Sequence, residues 1–116
     1  MKMPISEIAD RLSIAMLKKA RAAADNQLEI DTLMNEVSKY TDALSYVEKL
    51  LDINGKIWDL ESDIRKGKEN ELGLEEVGRR AIQIREFNKI RVGFKNEMVL
   101  KFEEGFEDIK MNHASA

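Results

Sequence analysis

The chain has 116 residues, and its 35% of charged and 43% of hydrophobic residues are typical of a folded helical protein rather than a disordered one. It has no Cys and one His, His113, which excludes disulfides, Cys-ligated zinc, thiolate nucleophiles and sites that need several His in one chain. The net charge of −3 gives no support to a nucleic-acid partner. We therefore expect one all-α domain over residues 1–116, with no metal and no cofactor.

The first predicted helix covers about residues 4–24. Pro4 suits the first turn of a helix, and Ile5, Ile8 and Leu12 recur near helical spacing. The N-terminal stretch MKMPISEIADRL meets charges early and has no long apolar segment. We therefore expect neither a signal peptide nor a membrane span, no membrane partner, and a cytoplasmic location. The stretch DNQ at residues 25–27 predicts the end of this helix.

The second predicted helix is the longest, over about residues 28–66. Its seam alternates spacings of three and four, as in a coiled coil: Ile30, Leu33, Val37, Tyr40, Leu44, Val47 and Leu51. A second stripe follows, namely Leu50, Ile53, Ile57, Leu60 and Ile64. Both keep phase across Asn54-Gly55, which favours a helix over a hairpin turn there. A break at Gly55 that creates a fourth, short helix is the alternative.

A helix of that length predicts a partner. At 1.5 Å per residue it would be ~58 Å long, too long for a compact monomer of this size. Its second stripe would need to be covered by the third helix or by another copy. We therefore expect a helical-bundle homodimer.

The third predicted helix covers about residues 74–103 and follows the connection KGKENELG, where Gly67 suits a helix end. Its stripe begins with Leu74, Val77, Ala81 and Ile84. Residues 104–116 are predicted to be weakly ordered after at most a short C-terminal helix. Together these elements predict an antiparallel three-helix arrangement with a long central helix.

Both long helices carry polar residues where their apolar stripes should continue. On the central helix these are Asn54, Trp58, Glu61 and Arg65, and on the third they are Asn88, Arg91 and Lys95. If the two helices form an antiparallel hairpin around residues 69–70, Asn54 comes close to Asn88. The same register lets Glu48 reach Arg91.

These polar positions have two interpretations. An inward Asn often fixes the register and oligomeric state of a helical bundle, and this is the interpretation we favour. The other is a partly buried site for an anionic or polar ligand, with Trp58 as a flat wall. Its candidate ligand-binding residues are Asn54, Trp58, Glu61, Arg65, Asn88, Arg91 and Lys95. No catalytic residue is predicted.

The acidic residues of the central helix could suggest magnesium. Asp59 and Asp63 share one helix face, but a helical Mg²⁺ site needs carboxylates that converge from at least two elements. No spacing in the third helix compels such convergence. We therefore expect a solvated face, with Lys56, Arg65 and Lys66 as pairing partners.

Three stretches resemble a small uncharacterised family of bacterial and phage all-helical proteins: IADRLSIAMLK, NGKIWDLESDIR and RAIQIREFNKIRVGFKNEM. The patterns are N-x-x-[LI]-W-x-x-E-x-x-I-R and N-x-x-R-x-x-x-K-x-E. The chain departs from them at Lys89, where an acidic residue is expected. The resemblance implies an all-helical fold, with members found alone or beside glycosyltransferase-like segments, and implies no activity. Its matching positions are Asp10, Arg11, Asn54, Trp58, Glu61, Arg65, Asn88, Arg91, Lys95 and Glu97.

Two functions remain open. The first is a non-enzymatic, oligomeric interaction or accessory protein that acts as a homodimer or with another protein. The alternative is a small-ligand-binding or Mg-dependent nucleotide-processing protein that uses the polar positions between the second and third helices. The paired E-x-x-E and E-x-x-D signatures of all-α nucleotide pyrophosphatases are not evident here.

Overall fold

The computed structural model describes residues 3–65 and 72–102, without the side chains of Asp63 and Arg65. These residues form helices α1 (Ile5–Ala22), α2 (Gln27–Val37), α3 (Ala43–Arg65) and α4 (Leu74–Phe102), and the described part of the chain contains no strand. The predicted all-helical class is therefore confirmed. Residues 66–71, with Gly67, and the predicted tail 104–116 lie outside the described residues.

Helix α1 has clear signals at both ends. Pro4 precedes it in an extended conformation, with φ −62° and ψ 151°. At the other end Ala23 takes the left-handed conformation, with φ 52°, and the Ala24 N–H donates to the Lys18 carbonyl oxygen at 3.2 Å. Left-handed residues of this kind commonly end helices. Helix α1 therefore ends two residues before the predicted boundary.

The prediction of one central helix over residues 28–66 is wrong, because the chain breaks at residues 38–42. The Lys39 and Tyr40 N–H groups bond three residues back, to the Glu36 and Val37 carbonyl oxygens, which tightens and ends α2. Asp42 then has φ 72°, which a helix cannot accommodate. The alternative break at Gly55 is also wrong, since α3 continues through Asn54 and Gly55.

This break removes the length argument for a partner. Helix α3 has 23 residues and is ~35 Å long, which fits within one small domain. The first three members of its second stripe, Leu50, Ile53 and Ile57, are buried within the chain, and Leu60 and Ile64 are partly buried. By contrast, Leu44 of the predicted seam is exposed. The homodimer stays a prediction.

The core lies where α1, α3 and α4 meet, and α2 packs against α1. Its buried members come from all four helices: Ile5, Ile8, Ala9, Leu12, Val37, Ala43, Val47, Leu50, Ile53 and Met98. None of the helices in the described ranges combines the length and the apolar character needed to cross a bilayer.

Helices α3 and α4 run antiparallel. Lys49 Nζ lies 5.7 Å from the Phe94 ring centroid, and Lys56 Nζ lies 5.9 Å from the Phe87 ring centroid. The predicted register placed Leu51 opposite Asn88. The observed contacts shift the pairing by about one helical turn.

Helix α1 packs against α3 at Gly55. Arg21 Nη1 donates to the Gly55 carbonyl oxygen at 3.1 Å. A Cβ atom at this position would lie 3.2 Å from Arg21 Nη2 and 3.7 Å from Leu17 Cδ2. The absence of a side chain at Gly55 therefore leaves room for α1.

Candidate functional site

Asp10 is the centre of a polar cluster between α1, α3 and α4. It is only 3% exposed, and its two carboxylate oxygens face α4. Arg91 Nε donates to Asp10 Oδ1 at 3.0 Å, and Arg91 Nη2 donates to Oδ2 at 2.5 Å. Paired bonds between a guanidinium and a carboxylate are among the strongest polar contacts in proteins. The pair therefore ties α1 to α4.

Asn54 joins α3 to the same cluster. Its Nδ2 donates to Asp10 Oδ1 at 3.0 Å and to Ser13 Oγ at 2.8 Å. The Ser13 hydroxyl in turn donates to the Asp10 carbonyl oxygen at 2.7 Å. Both N–H groups of the Asn54 amide therefore have acceptors on α1, and these bonds fix the position of α3 along the axis of α1.

Lys95 brings a second positive charge from α4. Its Nζ lies 2.7 Å from Glu7 Oε2 and 3.8 Å from Asp10 Oδ2. The cluster thus contains two cations, Arg91 and Lys95, and two carboxylates, Asp10 and Glu7. Its charges balance within the chain.

The surroundings hold Asp10 in its ionised form. Burial by itself raises the pKa of the Asp10 carboxyl. Hydrogen bonds from Arg91 and Asn54, together with the charges of Arg91 and Lys95, outweigh that effect, so the pKa lies below its ordinary value of 3.8. The hydrogen bond to Asp10 raises the pKa of Arg91, against the opposing effect of burial. Both groups are therefore charged near neutral pH.

A cleft of about 300 Å³ adjoins the cluster. Its wall combines apolar side chains with an aromatic ring, a carboxylate and three nitrogen-bearing side chains. The lining residues are Ile14, Leu17, Asn54, Ile57, Trp58, Glu61, Asn88 and Arg91. The structure therefore brings five of the seven candidate residues, Asn54, Trp58, Glu61, Asn88 and Arg91, around one space.

The other predicted positions fall elsewhere. Lys95 belongs to the polar cluster and does not line the cleft. The side chain of Arg65 lies outside the described residues. The predicted contact between Glu48 and Arg91 is wrong, because Arg91 pairs with Asp10 and Glu48 lines a separate groove between α1 and α3. The register shift of one turn accounts for this difference.

Sequence reasoning from the polar stripes missed the α1 half of the cluster. Ser6, Asp10 and Ser13 follow one another at spacings of four and three and are all buried. Polar residues at helical spacing between Ile5 and Leu17 are the signal that could have identified this face. Asp10 was singled out only by the family resemblance.

Two acidic residues of α3 have basic partners, of which Lys56 was predicted and Arg21 was not. Asp59 forms an ion pair with Arg21 of α1, and Asp52 lies 3.3 Å from Lys56 Nζ. Within residues 3–65 and 72–102 no three His, Cys, Asp or Glu side chains are grouped so as to hold a metal ion.

Comparison with protein-family models, with curated proteins and with solved structures gives no match for this chain. The resemblance to a bacterial and phage helical family therefore stays a prediction.

Proposed function

We propose that this chain is a non-enzymatic helical interaction protein that works as a homo-oligomer, in its simplest form a dimer. The observation that carries the proposal is that its buried polar cluster is paired internally. The Asp10 carboxylate accepts bonds from Arg91 and Asn54, and its lowered pKa makes it a poor general base. A cluster of this kind positions helices, so the surface carries the function.

The exposed side of α4 supports an interaction role. Single exposed apolar side chains are ordinary on monomers. Here five of the large exposed hydrophobic residues in the described ranges belong to this one helix: Leu74, Ile82, Ile90, Val92 and Leu100. Such accumulation on one element is typical of a surface that another protein covers.

Sedimentation equilibrium of the purified chain tests the homo-oligomer. We expect a mass of at least twice 13.3 kDa that declines toward 13.3 kDa on dilution. A mass of 13.3 kDa at every concentration would contradict the proposal.

Alanine substitution tests whether the cluster is structural. Asn54→Ala and Arg91→Ala should each lower the melting temperature, because each leaves buried partners unsatisfied. A variant that melts higher while losing affinity for a ligand would favour a binding site instead, since sites often reduce stability.

The cleft supports a second candidate function, the binding of a small polar ligand such as a nucleotide, with or without Mg²⁺. Its volume of about 300 Å³ is at the lower end for ligand sites. Trp58 offers an aromatic wall beside the amide of Asn88 and the guanidinium of Arg91.

Calorimetric titration with nucleoside mono-, di- and triphosphates, each with and without Mg²⁺, tests this candidate. Asn88→Ala should abolish the heat of binding, because Asn88 lines the cleft. The matched variant Lys95→Ala should keep it, because Lys95 lies outside the cleft. No heat from the unaltered protein would remove the nucleotide candidate.

A further inference from the structure

A groove of about 570 Å³ runs between α1 and α3. Its floor is formed by the apolar side chains of Met16 and Ala20 from α1 and Leu51 from α3, together with Gly55 of α3. We call it the α1–α3 groove. Along α3 it extends from Glu48 to Asp59, which is ~16 Å or three turns of helix. Its shape suits an added helix, a common mode of recognition.

The groove also extends toward α2. A neighbouring space of about 520 Å³ shares Met16 and Ala20 with it and reaches Gln27 and Ile30. Ile30 and Leu51 are two members of the sequence seam that predicted lengthwise contact with another helix. Both are only partly buried within the chain.

The α3 wall of the groove is acidic. It carries Glu48, Asp52 and Asp59, which are all exposed. Arg21 and Lys56 offset part of this charge, through pairs with Asp59 and Asp52. Over the whole of residues 3–65, the chain has 12 acidic and 8 basic residues.

Helix α4 has the opposite balance, with 4 acidic and 7 basic residues over 74–102. Its side away from α3 carries what we call the α4 outer stripe: Ile82, Arg85, Lys89, Val92 and Leu100, all exposed. The three apolar members are 54%, 48% and 66% exposed. No acidic residue belongs to the stripe, although Lys89 pairs with the adjacent Glu86 at 3.3 Å.

We propose that the α4 outer stripe of one copy seats in the α1–α3 groove of a second copy. This inference rests on the proposed homo-oligomer and names its surfaces. Ile82 and Val92 cover the apolar floor, while Arg85 and Lys89 face Glu48 and Asp52, which have the same spacing of four residues. Each copy offers one stripe and one groove, so the contact joins two different surfaces, and a two-fold axis that pairs each stripe with the other copy's groove would give a closed dimer.

Charge complementarity decides the occupant. A basic helix face with apolar residues also fits an anionic lipid surface. The acidic groove, however, lies on the same chain and would be left uncovered by lipid. A second copy covers both surfaces at once, and opposite charges fix its orientation.

A charge-swap experiment tests the contact by sedimentation equilibrium. Arg85→Glu with Lys89→Glu should raise the dissociation constant of the dimer roughly tenfold or more, because like charges then face each other. Glu48→Lys with Asp52→Lys should do the same. All four substitutions together should restore most of the affinity.

The matched control is Arg11→Glu with Lys18→Glu, which makes the same charge change at exposed positions of α1 that line neither surface. It should leave the dissociation constant unchanged. Circular dichroism checks that each variant is folded. If a variant is not folded, the dissociation constant of the unaltered dimer is measured at increasing salt concentration instead. A dissociation constant that does not rise with salt would overturn the proposal.

The possible results separate the two proposals. If neither charge reversal changes the dissociation constant of the dimer, this contact is wrong and the proposed homo-oligomer is retained. A monomer at every concentration overturns both. If the chain binds vesicles of equal parts phosphatidylserine and phosphatidylcholine through Arg85 and Lys89, and the four substitutions do not restore a dimer, lipid replaces the second copy as occupant.

Discussion

At the scale of residues, Asp10 explains how Arg91 and Asn54 can occupy positions between helices. A buried charge is costly unless it is paired and hydrogen-bonded. Asp10 accepts from both residues, and Lys95 adds a further charge nearby. Removing Asp10 therefore affects three helices at once, although it lies on only one.

Asp10→Asn should lower the free energy of unfolding at pH 7 by on the order of 2 kcal/mol, below the range for fully buried pairs because Arg91 is partly exposed. The lowered pKa of Asp10 means that its stabilisation is complete above the ordinary value of 3.8 and is lost as pH falls through the folded-state pKa. Urea titrations from pH 7 to pH 2 should thus show the two proteins converging at low pH.

The matched control is Glu75→Gln, at an exposed position paired with Arg79 at 3.8 Å. Exposed pairs contribute little, so its stability should follow that of the unaltered protein. A difference in the free energy of unfolding between Asp10→Asn and the unaltered protein that stays constant down to pH 2 would contradict an ionised Asp10.

At the scale of elements, periodicity predicted where the helices lie but did not predict the break at residues 38–42. The seam passes from Val37 to Tyr40 and Leu44 without losing its spacing, so the pattern alone cannot detect five residues outside a helix. The local signal was composition, because Ser38, Tyr40, Thr41 and Asp42 are all weak helix formers. The turn-like Asn54-Gly55, by contrast, lies inside α3 because α1 needs room there.

Two helical glycines should respond differently to alanine. Gly93→Ala should raise the free energy of unfolding by up to about 1 kcal/mol, since a Cβ there meets no atom within 4 Å. Gly55→Ala should raise the free energy of unfolding by less, because its Cβ would lie 3.2 Å from Arg21 Nη2. Urea unfolding at one protein concentration compares them, and an equal gain would show that Arg21 moves aside freely.

At the scale of the whole molecule, the described chain is elongated, with extents of 55 × 32 × 23 Å. Helix α4 accounts for much of the length, since its 29 residues span ~43 Å. The sequence predicted the α3–α4 pairing partners only to within one turn, and it gave no means to place α1. That placement depends on Asp10 and Ser13, which contact residues 41 to 81 positions away.

Unfolding should be a single cooperative transition, because the polar cluster ties α1, α3 and α4 together. Trp58 is the only Trp and lines the cleft between these helices, so its fluorescence reports their contact. We expect its thermal transition to coincide with that of far-ultraviolet circular dichroism. In Arg91→Ala the fluorescence transition should occur at a lower temperature than the circular dichroism transition. Coincident transitions in that variant would show that the cluster does not couple α4 to the other helices.

The separation of 81 residues between Asp10 and Arg91 also has a kinetic consequence. Closing so long a loop costs more chain entropy than forming the α3–α4 hairpin, so we expect this contact to form after the main folding barrier. Asp10→Asn should then speed unfolding and leave the folding rate nearly unchanged in stopped-flow measurements. A folding rate slowed by the full loss of stability would contradict this order. We therefore expect the ion pair to determine how long the native state lasts, rather than how quickly it is reached.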